Sequence, residues 1–152
     1  MALDLTADLY ESCLQISPRH SDYATLSIQD GFDWSILSSC SFDRLYLVVF
    51  RSVRRPDADL ALLREHDDRA YAEALESGGL LLYFKGHVNE RRECLSFCLW
   101  ETREQAIKAA GAASHQSAAD ISVRMYESYV LDRYWLKKVV TARGERLVFE
   151  PI

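Results

Sequence analysis

The strongest constraint lies in residues 93–101. Between two flanking glutamates run Cys94, Leu95, Phe97, Cys98, Leu99 and Trp100, with Ser96 the one polar residue among them. An extended chain points successive side chains to opposite faces. A run that does not alternate therefore needs cover on both faces, as a fully buried strand does. Thr102 follows where a helix N-cap belongs, with Gln105 three residues on, a capping-box spacing. An Ala-rich helix is predicted over about 103–124, with a break near Gly111. From Tyr126 the apolar residues alternate with polar ones, which predicts a strand to about residue 139.

The chain before this stretch supplies the matching elements. Residues 42–53, FDRLYLVVFRSV, are rich in β-branched and aromatic side chains and predict the first core strand. Pro56 ends it. A helix is predicted over 57–77, because Leu60, Leu63, Ala70, Tyr71, Ala74 and Leu75 form a one-sided stripe, and Gly78-Gly79 stops it. A second strand is predicted over 80–88, a hairpin turn at Asn89-Glu90-Arg91, and the doubly apolar third strand over 92–101. After a turn at 142–145, residues 146–149 form a short last strand. The order β-α-β-β-α-β predicts an α+β, ferredoxin-like antiparallel sheet of four strands with two helices on one face. The third strand, and nearly the first, are apolar on both faces. The second face therefore needs a partner, and the simplest is a second copy, sheet against sheet, in a twofold homodimer.

Residues 1–41 read as an N-terminal extension, and 42–152 as the barrel domain. The extension has a short helix over 5–14, then a polar loop with strand character at 23–28. Phe32, Trp34, Ile36 and Leu37 are too apolar for water and are expected to pack on the barrel, over a pocket mouth. A net charge of −5 argues against a nucleic-acid surface, which needs a basic face. No apolar run approaches the roughly 18 residues of a membrane span, and the acidic first residues have no signal-peptide pattern. Cys13, Cys40, Cys94 and Cys98 lack zinc-type spacing and read as free thiols of a cytoplasmic protein.

The element order with doubly apolar strands resembles the dimeric α+β barrel superfamily, which includes antibiotic-biosynthesis-monooxygenase-like, EthD-like and stress-responsive barrel proteins. More narrowly, LSFCLWETREQAIKAA, then His115 followed by Ala118-Ala119, then MYESYVLDRYWLKK is similar to a family of small fungal proteins. The resemblance covers about residues 42–138. It implies the barrel fold and a ligand held between the sheet and the subunit's own helices. For fungal members it also implies natural-product (secondary) metabolism. The superfamily hosts oxygenases, isomerases, cyclases, decarboxylases, haem enzymes and non-enzymes, so the reaction does not follow from it.

No GxSxG, P-loop, GxGxxG, HExxH or CxxC motif is present. Candidates are thus polar residues that the fold turns inward. His115 shares a helix face with Ala118, Ala119 and Ser122, small residues that leave room, and its imidazole suits general acid-base work. The bland reading is a histidine bonded to a backbone carbonyl. Trp100, Cys98 and Ser96 share one strand face, Tyr83, Lys85 and His87 another, and Tyr126 and Ser128 a third. If these faces meet the helices they line one aromatic cavity; otherwise the rings are plain core. Arg51 and Glu127 are charges within apolar strands, paired across strands in the pocket or at a dimer seam. His66 with Asp67 reads first as a solvated helix face. No histidine has metal-ligand spacing, and no cofactor is implied.

The expected function is a cofactor-independent enzyme that cyclises, isomerises or rearranges a small apolar polyketide- or terpenoid-like metabolite. His115, Tyr126, Arg51 and Glu127 would do the chemistry. Trp100, Tyr83, His87, Ser96, Cys98 and Trp34 would bind the substrate. The alternatives are a cofactor-free monooxygenase and a non-catalytic dimer that binds a hydrophobic ligand or serves in a stress response. A large apolar cavity with at least two convergent polar groups favours the enzyme, and a filled sheet-helix interface favours the last.

Overall fold

The computed structural model describes residues 5–112, 120–121 and 123–152. The described residues open with helix α1 (Leu5–Cys13). Strand β1 (Ser17–Pro18) then pairs with β2 (Phe32–Asp33) around the short helix α2 (Ile28–Gly31), with 3-10 turns at Tyr23–Thr25 and Ser35–Ser39. The strand expected at 23–28 does not form. Thr25 Oγ1 donates to the Asp22 carbonyl at 2.9 Å, and Ser27 Oγ accepts from the Asp30 N–H at 3.1 Å. Both are local bonds that turn the chain in place of a ladder.

The main sheet follows. Strand β3 (Arg44–Arg54) leads to helix α3 (Leu60–Ser77), then strands β4 (Leu80–Phe84) and β5 (Glu93–Trp100), helix α4 (Arg103–Ala110), and strands β6 (Tyr126–Thr141) and β7 (Gly144–Pro151). The sheet is antiparallel with spatial order β4-β5-β3-β6-β7. Its first four strands make the expected β-α-β-β-α-β unit, and β7 adds a fifth strand by a hairpin on β6. The fold is α+β and ferredoxin-like.

Local chemistry sets the boundaries. Helix α3 starts at Leu60 because the Asp59 carboxylate accepts from the Leu62 N–H at 3.0 Å, three residues later than Pro56 and Asp57 imply. It ends where Gly78 and Gly79 take φ of +82° and +85°. Thr102 caps α4, its hydroxyl accepting from the Gln105 N–H at 3.2 Å and donating to Gln105 Oε1 at 2.9 Å. Helix α4 stops at Ala110 beside Gly111, and residues 120, 121 and 123–125 are helical again. Strand β4 is shorter than expected. After Phe84 the chain leaves the ladder, and the Gly86 N–H donates to Ser96 Oγ at 3.0 Å. A Cβ at Gly86 would collide with the Leu95 carbonyl.

The sheet separates two cores. On the helix side Tyr46, Leu80 and Trp100 are buried with Ala74, Ala106 and Ala109. On the other side Leu47, Val49, Leu95, Phe97, Leu99 and Leu136 are buried against Ile28, Phe32, Trp34, Leu37, Cys13 and Cys40. Phe32 meets Phe97 edge to face with ring centroids 5.0 Å apart, and the Trp34 indole N–H donates to the Ile28 carbonyl at 3.0 Å. The face that the apolar strands assign to a second copy is therefore covered by the chain's own residues 9–40. No described helix is long and apolar enough to cross a membrane.

Candidate functional site

A cavity of about 460 Å³ opens on the helix side of the sheet, under α3. Its floor follows from strand parity. Phe50, Ser52 and Arg54 alternate along β3, Ser96 and Cys98 lie opposite on β5, and Tyr83 pairs with Cys98 from β4. Its roof is the α3 stripe, where Ala70 and Ala74 leave space that larger side chains would fill. Tyr126, Tyr129 and Leu131 of β6 form a further wall. The Tyr126 and Tyr129 rings lie 5.2 Å apart, and Tyr71 and Tyr83 5.3 Å.

Two charges of opposite sign enter this aromatic wall. Asp67, on the same stripe of α3 as Leu63, Ala70, Tyr71 and Ala74, accepts from the Tyr83 hydroxyl at Oδ1, at 2.7 Å. Its Oδ2 lies 3.1 Å from Lys85 Nζ but outside hydrogen-bonding direction, so that oxygen is charge-compensated, buried and without a hydrogen bond. Arg54 stands at the end of β3 opposite Tyr126, where the register shifts between Val53 and Arg54 and leaves Glu127 without a β3 partner. Arg54 Nε is also buried without a hydrogen-bond partner. Such atoms cost free energy when left unfilled, on the order of 1–3 kcal/mol each.

The same surroundings keep the other groups neutral. Burial, then the Asp67 charge, pushes the Tyr83 phenol far above its ordinary value. Burial raises Tyr129 and Tyr126, the latter partly offset by the Arg54 guanidinium. Burial likewise raises the Cys98 and Cys94 thiols, and Cys94 feels Arg54, Asp67 and Lys85 together. The cavity thus offers un-ionised phenol O–H donors beside the Asp67 carboxyl group and the Arg54 guanidinium, with its thiols held away from the thiolate form. No group of three metal-ligating side chains occurs among the described residues.

Of the residues singled out in the sequence, His66, Asp67, Tyr83, Lys85, His87, Ser96, Cys98 and Tyr126 line this cavity. Ser96 Oγ is engaged by Gly86, and the His87 N–H donates to the Tyr23 hydroxyl at 2.9 Å. Trp100 lies in the helix-side core and is not part of the lining. Trp34 is on the opposite sheet face, against Phe97 and Phe149, and covers no mouth of this cavity. Arg51 and Glu127 do not pair. Arg51 points to the covered face, where it donates to the Ala24 and Leu26 carbonyls at 3.1 and 2.8 Å and lies 3.8 Å from Asp132. Glu127, at the bulge, accepts from Arg92 at 3.0 Å. The bulge also ends the expected sharing of one face by Tyr126 and Ser128, since Ser128 pairs with Val53. His115, with Ala118, Ala119 and Ser122, lies outside the described residues. Sequence reading passed over Arg54 and Tyr129 and took Asp67 for a solvated face. The signals were present: Arg54 continues the Phe50, Ser52 alternation, and Asp67 falls at i+4 from Leu63 and i−3 from Ala70.

A family profile described as PB2B2.08-like matches residues 2–149. UPF0643 protein PB2B2.08 of Schizosaccharomyces pombe is 28% identical over 111 residues, covering 69% of this chain and 50% of that protein. The chain thus spans about half the length of this curated relative. Among solved structures, Rv0793 of Mycobacterium tuberculosis aligns with a TM-score of 0.53 and 17% identity, over 64% of this chain and 98% of that one. A Nitrosomonas europaea protein described provisionally as an antibiotic biosynthesis monooxygenase aligns with a TM-score of 0.53 and 9% identity, over 64% and 92%. PA3566 of Pseudomonas aeruginosa gives 0.51 and 14%, over 64% and 96%. At these identities the likeness is one of fold.

Proposed function

Given that the chain belongs to the PB2B2.08-like family, we propose that it is a cofactor-independent enzyme that moves a proton on a small, largely apolar ring-bearing metabolite, isomerising or cyclising it between the sheet and α3. The observation that carries this reading is the meeting, in one aromatic cavity, of Asp67, ion-paired to Lys85, and Arg54, whose Nε is buried without a hydrogen-bond partner. A filled hydrophobic interface has no use for them. Asp67 Oδ2 takes a proton from carbon next to a carbonyl. The C–H electron pair moves into the carbonyl, and the resulting enolate oxygen is held by the neutral Tyr129 hydroxyl, while Arg54 takes another polar group of the substrate. Returning the proton to another carbon isomerises the substrate. Alternatively the enolate carbon attacks a second carbonyl of the same molecule, a carbon–carbon bond forms, and Asp67 protonates the new alkoxide. Tyr83 and Lys85 hold the carboxylate in place. Four free thiols accord with a reducing, cytoplasmic setting.

The test is exchange of protons for deuterium. The purified chain is incubated in D₂O with ring ketones and 1,3-dicarbonyl compounds, and exchange at the acidic carbon is followed by NMR. Asp67→Asn should slow the enzyme-dependent exchange by about 100-fold or more. Ligand binding with no exchange above background would leave a binding protein. Oxygen uptake in the same incubation would turn the enolate step into the first half of an oxygenation.

A further inference from the structure

We propose that the ligand of this cavity is an organic acid, a monocarboxylate with an apolar ring body, whose carboxylate sits on Arg54. This rests on the cavity being a binding site, as argued above, and adds the chemical class of what enters it. The chain as a whole carries a net charge of −5, yet the cavity is lined by Arg54, Arg64 and Lys85 against the single carboxylate of Asp67. Lys85 is spent, 3.1 Å from Asp67 and 3.7 Å from Asp68. Arg54 has no carboxylate within ion-pair distance among the described residues, and its Nε is buried without a partner. The backbone around it is fixed: the Arg54 carbonyl accepts from Arg92 Nη1 at 3.0 Å, and Arg92 is held in turn by Glu127. The guanidinium lines the cavity beside the Tyr126 hydroxyl, with which it interacts, and its Nε is left without a partner.

A guanidinium edge presents two parallel N–H groups, which match the two oxygens of a carboxylate. A neutral carbonyl would fill one bond and leave the charge uncompensated in a poorly solvated place. A phosphate would leave most of its oxygens facing Phe50, Tyr129 and Leu131, with too few donors. The Tyr126 hydroxyl, beside Arg54 and un-ionised, supplies one further donor. The same Phe50, Tyr129 and Leu131, with Leu63 above, take the ring body. Repulsion between the acid and Asp67 keeps the two carboxylates apart, which directs the bound acid's other end toward Asp67.

The experiment compares 2-naphthoate with methyl 2-naphthoate, which has the same ring and no charge, by calorimetric titration and thermal shift on the full chain. The acid should bind at least about tenfold more tightly than the ester. Arg54→Met should bring the acid down to the ester's affinity, leave the ester unchanged, and not lower the Tm of the empty protein, because it removes an unfilled buried N–H. Arg54→Lys, which keeps the charge and loses the two-pronged edge, should weaken the acid alone. Equal binding of acid and ester, or acid binding untouched by Arg54→Met, would overturn the inference while leaving the cavity as a site for neutral rings. Binding of neither compound would remove the inference and count against the site itself, and loss of deuterium exchange alone would leave the acid specificity standing.

Discussion

Asp67 and Cys13 show how much an acidic side chain depends on what surrounds it. Under α3, Tyr83 donates to one Asp67 oxygen and Lys85 stands by the other. Cys13, fully buried on the covered face, has no such help, and its thiol is pushed up to about 12, by burial first and then by Cys40. Cys94 and Cys98 are raised too, again by burial. The consequence for stability has a definite sign. Above the ordinary thiol value of 9.0 the unfolded chain releases protons that the folded chain retains, so unfolding is favoured as pH rises. The contribution from Cys13 is fully present below pH 9 and is lost between there and about 12. Each such thiol should steepen the fall by about 1.4 kcal/mol per pH unit within its window. Urea unfolding between pH 8 and 11 should show this decline, and Cys13→Ala should lower stability at pH 8 by about 1 kcal/mol yet flatten the slope by one proton. An unchanged slope in that variant would mean the thiol ionises freely in the folded protein.

At the scale of elements, the cover and the cavity are joined through one side chain. Tyr23 packs its ring on Phe84 with centroids 5.5 Å apart and accepts the His87 N–H at its hydroxyl. It therefore ties the cover to the segment after β4 that carries Lys85 and His87 into the cavity. Tyr23→Phe should cost about 1–2 kcal/mol, the loss of one partly buried hydrogen bond. Amide hydrogen exchange should quicken at residues 85–88 and stay slow in β5. Equal quickening in both would mean the variant loosens the whole fold. Much of this arrangement was legible. The doubly apolar run at 94–100, the Thr102 cap and the Gly78-Gly79 stop fix the order of strands and helices, because each is a short-range signal. Strand parity likewise put Ser96 with Cys98 on one strand face and Tyr83 with Lys85 on another, and the pairing of Tyr83 with Cys98 brings those faces together. The remainder depends on long-range partners. The β4 strand ends early because Gly86 bonds to a side chain ten residues away. Tyr126 and Ser128 part company at a bulge that no local pattern announces. Arg54 sits before Arg55-Pro56 and looks like a solvated strand end until Tyr126 is placed opposite it.

For the whole molecule, the covered sheet face decides how copies can meet. Apolar strands on both faces demand a second layer, but they do not say whether it comes from another copy or from the same chain. Here residues 9–40 supply it: Phe32, Leu37 and Cys13 are fully buried, as are Leu47, Val49 and Phe97 beneath them. At about 25 cal/mol per Å² of apolar surface removed from water, an aromatic side chain such as Phe32 contributes roughly 2–3 kcal/mol. A second copy could take this face only by displacing the whole layer. The protein should therefore run as a monomer at micromolar concentration in size-exclusion chromatography with light scattering. Opening the layer should change that. Trp34→Asp puts a charge among Phe32, Phe97 and Phe149 and removes the indole bond to Ile28, at a cost of about 3–5 kcal/mol. It should expose Leu47, Val49 and Phe97, bind a hydrophobic dye, and shift the mass to dimers or larger species. A wild-type dimer that persists unchanged in Trp34→Asp would place its interface elsewhere, with the free edge of β6 at residues 126–132 the first surface to test, because Val130 there is 50% exposed and its outer backbone edge lies beyond the reach of β7, which pairs only from Tyr134 onward.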